Sequence, residues 1–371
     1  MAEYYSNSIS RKRRRKSRVY SGKTLALFLL DIFATLAMVL LAFCSVTTII
    51  CQYITPEKSG LLSIFALGAP IVYLLDIVVM FYWIIRWKWG RAIAMIAIVV
   101  LGLFYLSRYY KLDLDRHYDT SYVERKFIKV MTYNVHSGIA EELSQYIESH
   151  NPDILSLQET STSNKNWNSL AAKYKTTFKE GDESGNQILS KYRILRSGEI
   201  DSVLRKNAVW ADLKIKDDTI RVVSLHLQST SIRSEDTSFL EKHEYILDDE
   251  REDKLRSIAS RLVENNCKRA VQAERIAEFL AKSPYKTIVC GDFNDVPISY
   301  TYNTIVKNLE DTFSKKATGF AYTFDTRYRL LRIDNIFVSP SIEVVSYEVD
   351  NSATLSDHYP VMVRIKLNSN R

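Results

Sequence analysis

Eight residues between positions 134 and 358 of this 371-residue chain are of types that could act together: Asn134, Glu159, His226, Asp292, Asn294, Asp334, Asp357 and His358. They supply hard oxygen donors and two imidazoles, with no paired cysteines among them. Oxygen-rich ligation of this kind suits Mg2+ or Mn2+ rather than structural zinc. A carboxylate-bound divalent ion beside a His–Asp pair is equipped for phosphoester hydrolysis, because the ion offsets charge on the phosphate while a base takes a proton from water. Each residue alone has a plainer explanation. Glu159 reads as a surface acid, Asn134 as a turn former, and Asp292–Asn294 as a turn after a strand. Their common position at the ends of apolar runs is what argues for a site.

Those runs are short, and each closes on polar residues. IKVMTYNVHSG (128–138) is β-branched and reaches Asn134; PDILSLQET (152–160) follows an amphipathic helix over 140–149 and reaches Glu159. NQILSKYRI (186–194), AVWADLKI (208–215) and RVVSLHLQS (221–229) alternate as strands, the last delivering His226. KTIVCGDFND (286–295) turns at Gly291 and delivers Asp292 and Asn294, IDNIFVS (333–339) opens near Asp334, and VMVRIKL (361–367) follows SDHYP. Alternating strands with few helices predict two packed sheets with helices outside, a layered α/β sandwich.

TYNVHSG, PDILSLQET, SLHLQS, CGDFND, RIDNIFVS and LSDHYPV occur in the order expected of the endonuclease/exonuclease/phosphatase superfamily, and the chain resembles that superfamily over about two thirds of its length. The resemblance implies a DNase I-like four-layered α/β sandwich, a Mg2+ or Mn2+ cofactor and hydrolysis by attack of water on phosphorus. By position it implies that Glu159 is the principal metal carboxylate, with Asn134 close by and Asp357 completing the metal side. Asp292 would orient or activate the water, Asn294 would hold a phosphate oxygen, and His358 would be a catalytic imidazole polarised by Asp334. His226 falls where DNase-like and phosphatase-like members carry His, and Asn186 falls in a segment that often supplies a phosphate-side contact. One departure is a charged helical stretch within 232–268, carrying Leu255, Ile258 and Leu262 at helical spacing. It is expected to be a solvated helix pair decorating the sandwich, or else a lid or membrane-facing arm.

The first third of the chain is different in kind. Residues 24–54, 61–85 and 92–107 are apolar runs with one charge, one charge and none, the first two long enough to span a bilayer and the third reaching that length with its flanks. The expected organisation is a basic head (1–23), a three-helix transmembrane anchor (24–108), a linker (109–125) and a catalytic domain (126–371). Eight Lys and Arg lie between Arg11 and Lys23, one in the first loop (Lys58) and three between Arg86 and Arg91. Positive-inside counting therefore puts the catalytic domain on the exoplasmic side. Asp31 and Asp76, charges within the apolar runs, are expected to make polar contacts between packed helices, both in one leaflet. Residues 1–111 hold fourteen Lys and Arg against four Asp and Glu, which leaves 36 against 39 for the remainder. The basic balance thus belongs to the anchor, and the soluble domain has no general attraction for nucleic acid. The expected partners are the lipid bilayer and a phosphoester substrate: a lipid headgroup, a small phosphodiester or, as the alternative, nucleic acid. A non-catalytic membrane scaffold would be expected to lack Glu159, Asp292 or His358, and none is lost.

Overall fold

A computed structural model describes residues 22–111, 127–136, 140–161, 165–176, 185–201, 204, 207–230, 236, 239, 248–326 and 329–367. The basic head before residue 22, residues 112–125 of the expected linker, and most of 231–247 lie outside the described residues. The helices are α1 (Gly22–Cys51), α2 (Gly60–Ile85), α3 (Trp89–Leu106), α4 (Glu141–His150), α5 (Lys165–Ala171), α6 (Asp248–Ala281), α7 (Tyr300–Val306) and α8 (Thr312–Lys316). The strands are β1 (Tyr110–Lys111), β2 (Ile128–Asn134), β3 (Ile154–Gln158), β4 (Lys175–Thr176), β5 (Asn186–Ser190), β6 (Arg193–Glu199), β7 (Ala208–Ile215), β8 (Asp218–His226), β9 (Lys286–Asp292), β10 (Glu310–Asp311), β11 (Gly319–Phe320), β12 (Asp334–Val338), β13 (Ile342–Val349) and β14 (Val361–Leu367).

Two six-stranded sheets form, in the orders β13-β14-β2-β3-β5-β4 and β10-β12-β9-β8-β7-β6. Successive side chains on a strand point to opposite faces, so a central strand covered on both faces must be apolar on both. In β2, Ile128 and Val130 enter the core between the sheets, with Ile188, Val209, Val222, Ile288 and Ile336, while Met131 and Tyr133 face Leu143, Ile147 and Trp167 of α4 and α5. In the other sheet, Val223, Leu225, Val289 and Phe337 face Ala273 and Ile276 of α6 and Tyr302 of α7. The result is the expected four-layered sandwich.

Several expectations need correction. NQILSKYRI is two strands: β5 belongs to one sheet and β6 to the other, and the chain crosses between them at Lys191–Tyr192. The linker does not begin at 109. Tyr109 is fully buried, and Tyr110–Lys111 pairs antiparallel with β11. Of the charged stretch within 232–268, the residues from Asp248 onward belong to a 34-residue helix that runs on to Ala281. It is neither merely solvated nor confined to the sandwich. Ile258 and Leu262 are buried, Leu255 is exposed, and Asn266 Nδ2 donates to Ser63 Oγ of α2 at 2.6 Å.

Helices α1–α3 are long and apolar enough to cross a membrane. Their outer surfaces expose Phe33, Leu36, Phe43, Leu61 and Phe104, a patch that water would penalise and lipid would not. Asp31 accepts from Arg86 twice at 2.9 Å and from Tyr82 at 2.7 Å, whereas Asp76 accepts from Ser45. Both acids do make polar contacts between packed helices. They do so at different heights, since Asp31 and Ser45 are fourteen residues apart on α1, about 21 Å along a helix.

Candidate active site

Register brings the site together. In the parallel pair β8–β9, His226 lies opposite Asp292, and in the antiparallel pair β9–β12, Asp292 lies opposite Asp334. Three neighbouring strands therefore present His226, Asp292 and Asp334 abreast. On the other sheet, the parallel pair β2–β3 ends with Asn134 opposite Gln158, and Glu159 follows. Gly291 permits this arrangement. Its φ is +135°, and a Cβ there would lie 2.0 Å from the Leu225 carbonyl oxygen, so only glycine lets β9 approach β8 this closely.

The two sheet edges meet through Asn134. Its Nδ2 donates to Glu159 Oε1 at 3.0 Å and to Asp292 Oδ2 at 3.1 Å. Asp292, 1 % exposed, also accepts from the Asn294 backbone N–H at 2.8 Å and from Asn294 Nδ2 at 3.1 Å. His226 Nε2 lies 3.5 Å from Glu159 Oε1 and 3.9 Å from Asp292 Oδ2. From the segment before β14, His358 Nε2 approaches Asp292 Oδ2 at 3.8 Å, while its Nδ1 lies 2.9 Å from Asp334 Oδ2. Phe324 lies against the His358 ring. Asp357 stands at the rim, hydrogen-bonded by Ser356, which also donates to the Asn134 carbonyl at 2.8 Å. All these expected residues converge on one edge.

Asn186 is the exception. It is buried, and its amide is tied to Ser224, with Nδ2 donating to the Ser224 carbonyl at 2.9 Å and to that of Asn207 at 3.2 Å. It joins β5 to β8 across the sheets.

Electrostatics separate the buried pair from the rim. Burial pushes the Asp334 carboxyl up, against the opposing pull of His358. Burial alone would lower His358, but Asp334 and Asp292 overcome it and hold the imidazole well above its usual range. The ring therefore stays charged through neutral pH, with a proton on each nitrogen, Nδ1–H donated to Asp334 and Nε2–H facing Asp292.

Sequence reasoning missed three contributors. His136, inside TYNVHSG, has φ +40° and brings Nδ1 to 3.7 Å from Glu159 and 3.6 Å from Asp357. Gln158 lies buried beneath Glu159 and donates to Ser156 Oγ at 2.8 Å, while Ser156 and Ser224 join the sheets at 2.6 Å. Arg269 of α6 donates to the Gln228 carbonyl at 2.7 Å and lies 3.4 Å from Asp295, bracing the loops that follow His226 and Asn294. Only His136 carried a signal, as a ligand-type residue within a quoted motif. Glu159 and Asn294 also hold positive φ, +55° and +50°. Such backbones cost about 1–3 kcal/mol each and cluster where function requires them.

The donors fit a hard divalent cation. Glu159 and Asp357 are partly exposed, and among the described residues no Lys or Arg forms an ion pair with either, or with Asp292. Among the described residues, the side chains that approach them are imidazoles, the amides of Asn134 and Asn294 and the Ser356 hydroxyl. A cation beside Glu159, with Asn134 and Asp357 alongside, would relieve that repulsion with oxygen donors. Asp292, Asp334 and His358 also offer ligand atoms within 4.8 Å of one another. That grouping overlaps the Asp334–His358 hydrogen bond, which occupies Oδ2 and Nδ1 but leaves the buried Asp334 Oδ1 without a partner. A cleft of about 600 Å³ lined by Glu274, Glu278, Thr287, Lys307 and Ser339 opens at the opposite end of β9, away from these groups.

A sandwich of two sheets with its reactive groups along one strand edge defines the DNase I-like class of α/β proteins. Residues 131–358 match the model of the Endonuclease/Exonuclease/phosphatase family, and the chain belongs to that family of phosphoester hydrolases. Residues 29–109 match a second model, described only as a domain of unknown function. No curated protein matches the chain. Similar solved structures include an endonuclease/exonuclease/phosphatase family protein from Bacteroides thetaiotaomicron, 20 % identical, covering 66 % of this chain and 96 % of that one with a TM-score of 0.44. A mannosyl-6-phosphatase from the same organism is 20 % identical, covering 65 % and 100 %, with a TM-score of 0.43. Sphingomyelinase C from Streptomyces griseocarneus is 18 % identical, covering 66 % and 100 %, with a TM-score of 0.41.

Proposed function

We propose that the chain is a metal-dependent phosphoester hydrolase, anchored in a membrane by α1–α3, that directs water onto phosphorus. The observation that carries this reading is the meeting of Asn134 and Glu159 from one sheet with Asp292 and His226 from the other, with neighbouring polar atoms 3.0–3.9 Å apart. Mg2+ or Mn2+, held by Glu159 with Asn134 and Asp357 beside it, would supply positive charge against the phosphate. Asp292, fixed by Asn134 and Asn294, is assigned the proton of the attacking water. Asn294 and His226 are assigned to phosphate oxygens. His358, kept charged by Asp334, donates from Nε2 to the phosphoryl group. The water oxygen bonds to phosphorus, one P–O bond to an alcohol breaks, and that alcohol leaves protonated. Asn186 is assigned a bracing role in place of a substrate contact.

The test uses the full chain in detergent, since parts of the catalytic half pack on the anchor. Hydrolysis of bis(p-nitrophenyl) phosphate is expected to vanish in EDTA and to return with Mg2+ or Mn2+. Undiminished turnover in EDTA would contradict the metal assignment. We further assign the catalytic half to the exoplasmic side, supported by the eight-to-one Lys and Arg contrast between the head and the first loop. A reporter fused after Arg371 should be active only if it functions outside the cytoplasm. Activity of a cytoplasm-only reporter there would overturn this orientation.

A further inference from the structure

The edge of the sandwich that carries the reactive groups is also the edge that sits on the apolar helices. The loop leaving Asp292 runs through Asn294 and Asp295 into Val296 and Ile298, both buried in one apolar cluster with Cys51 of α1, Ala66, Ala69 and Tyr73 of α2, and Tyr109. Polar contacts fix the same loop. Arg108, just past α3, donates to the Pro297 carbonyl at 3.0 Å, Cys51 Sγ lies 3.9 Å from the Ile298 carbonyl, and Asn303 Nδ2 donates to the Gln52 carbonyl at 3.4 Å.

A second contact fixes the tilt. α6 crosses the start of α2 so closely that a Cβ on Gly60 would lie 2.2 Å from Val263 Cγ1. Asn266 donates to Ser63 of α2 and accepts from Arg269, which braces Gln228 and Asp295. All three helices therefore reach the loops flanking His226 and Asn294, and the catalytic edge cannot swing freely on a tether.

This docking sets a height. Ile298 follows Asp292 by six residue steps, so the two are at most about 20 Å apart even if extended. The turn closed by the Ser299 N–H to the Val296 carbonyl, 3.0 Å, makes the path shorter. The headgroup layer adds about 5–8 Å beyond the hydrocarbon on each side of a bilayer. Exposed Tyr53 and Tyr110, with Arg108, mark the interfacial level at the helix ends. The reacting edge thus stands within about 20 Å of the level where this loop meets the helix ends, close to its own leaflet. A long polyanion would have to approach beside the bilayer surface, toward a soluble half with 36 Lys and Arg against 39 Asp and Glu.

We propose that the substrate is the phosphoester headgroup of a membrane lipid, reached laterally from the leaflet on which the catalytic half sits, with its chains left in the bilayer. The proposal rests on the hydrolase reading above. The same P–O bond breaks, and water supplies oxygen to phosphorus and a proton to the departing alcohol.

The full chain, reconstituted in phosphatidylcholine vesicles, is to be given phosphatidylglycerol, phosphatidylethanolamine, phosphatidylinositol or phosphatidic acid as a minor component. Each is compared with its deacylated, water-soluble counterpart, and single-stranded DNA and bis(p-nitrophenyl) phosphate are run alongside. One or more of the four lipids should be cleaved roughly 10²-fold or more faster than its soluble counterpart, as expected when both partners are confined to one surface. The rate should follow the mole fraction of that lipid in the surface. Equal rates for a lipid and its soluble counterpart, or preferred cleavage of DNA, would overturn the proposal. Hydrolysis of bis(p-nitrophenyl) phosphate without any lipid cleavage removes the lipid assignment alone. Failure on every substrate removes the hydrolase reading with it.

Discussion

Replacing His358 with alanine is expected to lower kcat by roughly 10²–10⁴-fold, the usual contribution of a positioned acid–base group. Asp334→Ala in the same background should then cost little more. His358 lies 5 % exposed, with Nδ1 bound to Asp334 at 2.9 Å and Nε2 turned toward Asp292 at 3.8 Å. Asp334 reaches no other reactive group by hydrogen bond among the described contacts, so its effect on turnover passes through the ring. Residues that act as one unit are non-additive. KM should change less than kcat in all three variants, because both groups serve the reacting phosphoryl group more than binding of the remaining substrate. The measurement is a double-mutant cycle on kcat with bis(p-nitrophenyl) phosphate, with folding of each variant checked by thermal unfolding. Fully multiplicative losses would show that Asp334 does not work through His358.

The second large effect is expected at Glu159. Its carboxylate is partly exposed, receives the Asn134 amide at 3.0 Å, and forms no ion pair with Lys or Arg among the described residues. Glu159→Ala should lower turnover by at least about 10²-fold, since it removes the principal carboxylate for the cation. Glu159→Gln keeps the shape but loses the negative charge, and it should need a much higher Mg2+ or Mn2+ concentration for half-maximal activity. Stability should hold or rise slightly, because two rim carboxylates no longer repel each other and the strained φ of +55° is retained. Wild-type metal dependence of the glutamine variant would move the cation elsewhere, with the Asp292–Asp334–His358 group as the next choice.

Much of the site was legible because its chemistry interrupts a hydrophobic pattern. A strand buried on both faces carries few ionisable or amide side chains except at its ends, so Asn134, Glu159, His226, Asp292 and Asp334 stood out where apolar runs stopped. What periodicity cannot show is which sheet a strand joins. β5 and β6 were read as one strand because both alternate, and nothing local marks the crossing at Lys191–Tyr192. β13 was not singled out, since it is an edge strand with several half-buried positions and a bulge between Val344 and Ser346. The role of Asn186 depended on the distance to Ser224, a residue 38 positions away. Docking of the anchor was invisible for the same reason. Gly60, Ala66 and Ala69 look like ordinary small residues of an apolar helix until Val263, Val296 and Ile298 are seen against them. Long-range packing, and not the motifs, decides where the active edge sits.

The central claim is that water attacks phosphorus, under the direction of Asp292 and the groups around it. The most direct measurement is hydrolysis by the full chain in heavy-oxygen water, with mass analysis of both products of one turnover. The account predicts one heavy oxygen in the phosphorus-containing product and none in the released alcohol. It also predicts that this labelling disappears together with turnover when Asp292 is replaced by asparagine. Heavy oxygen in the alcohol would mean that the C–O bond is broken, and it would contradict the assignment of Asp292, Asn294 and His358 to a reaction at phosphorus.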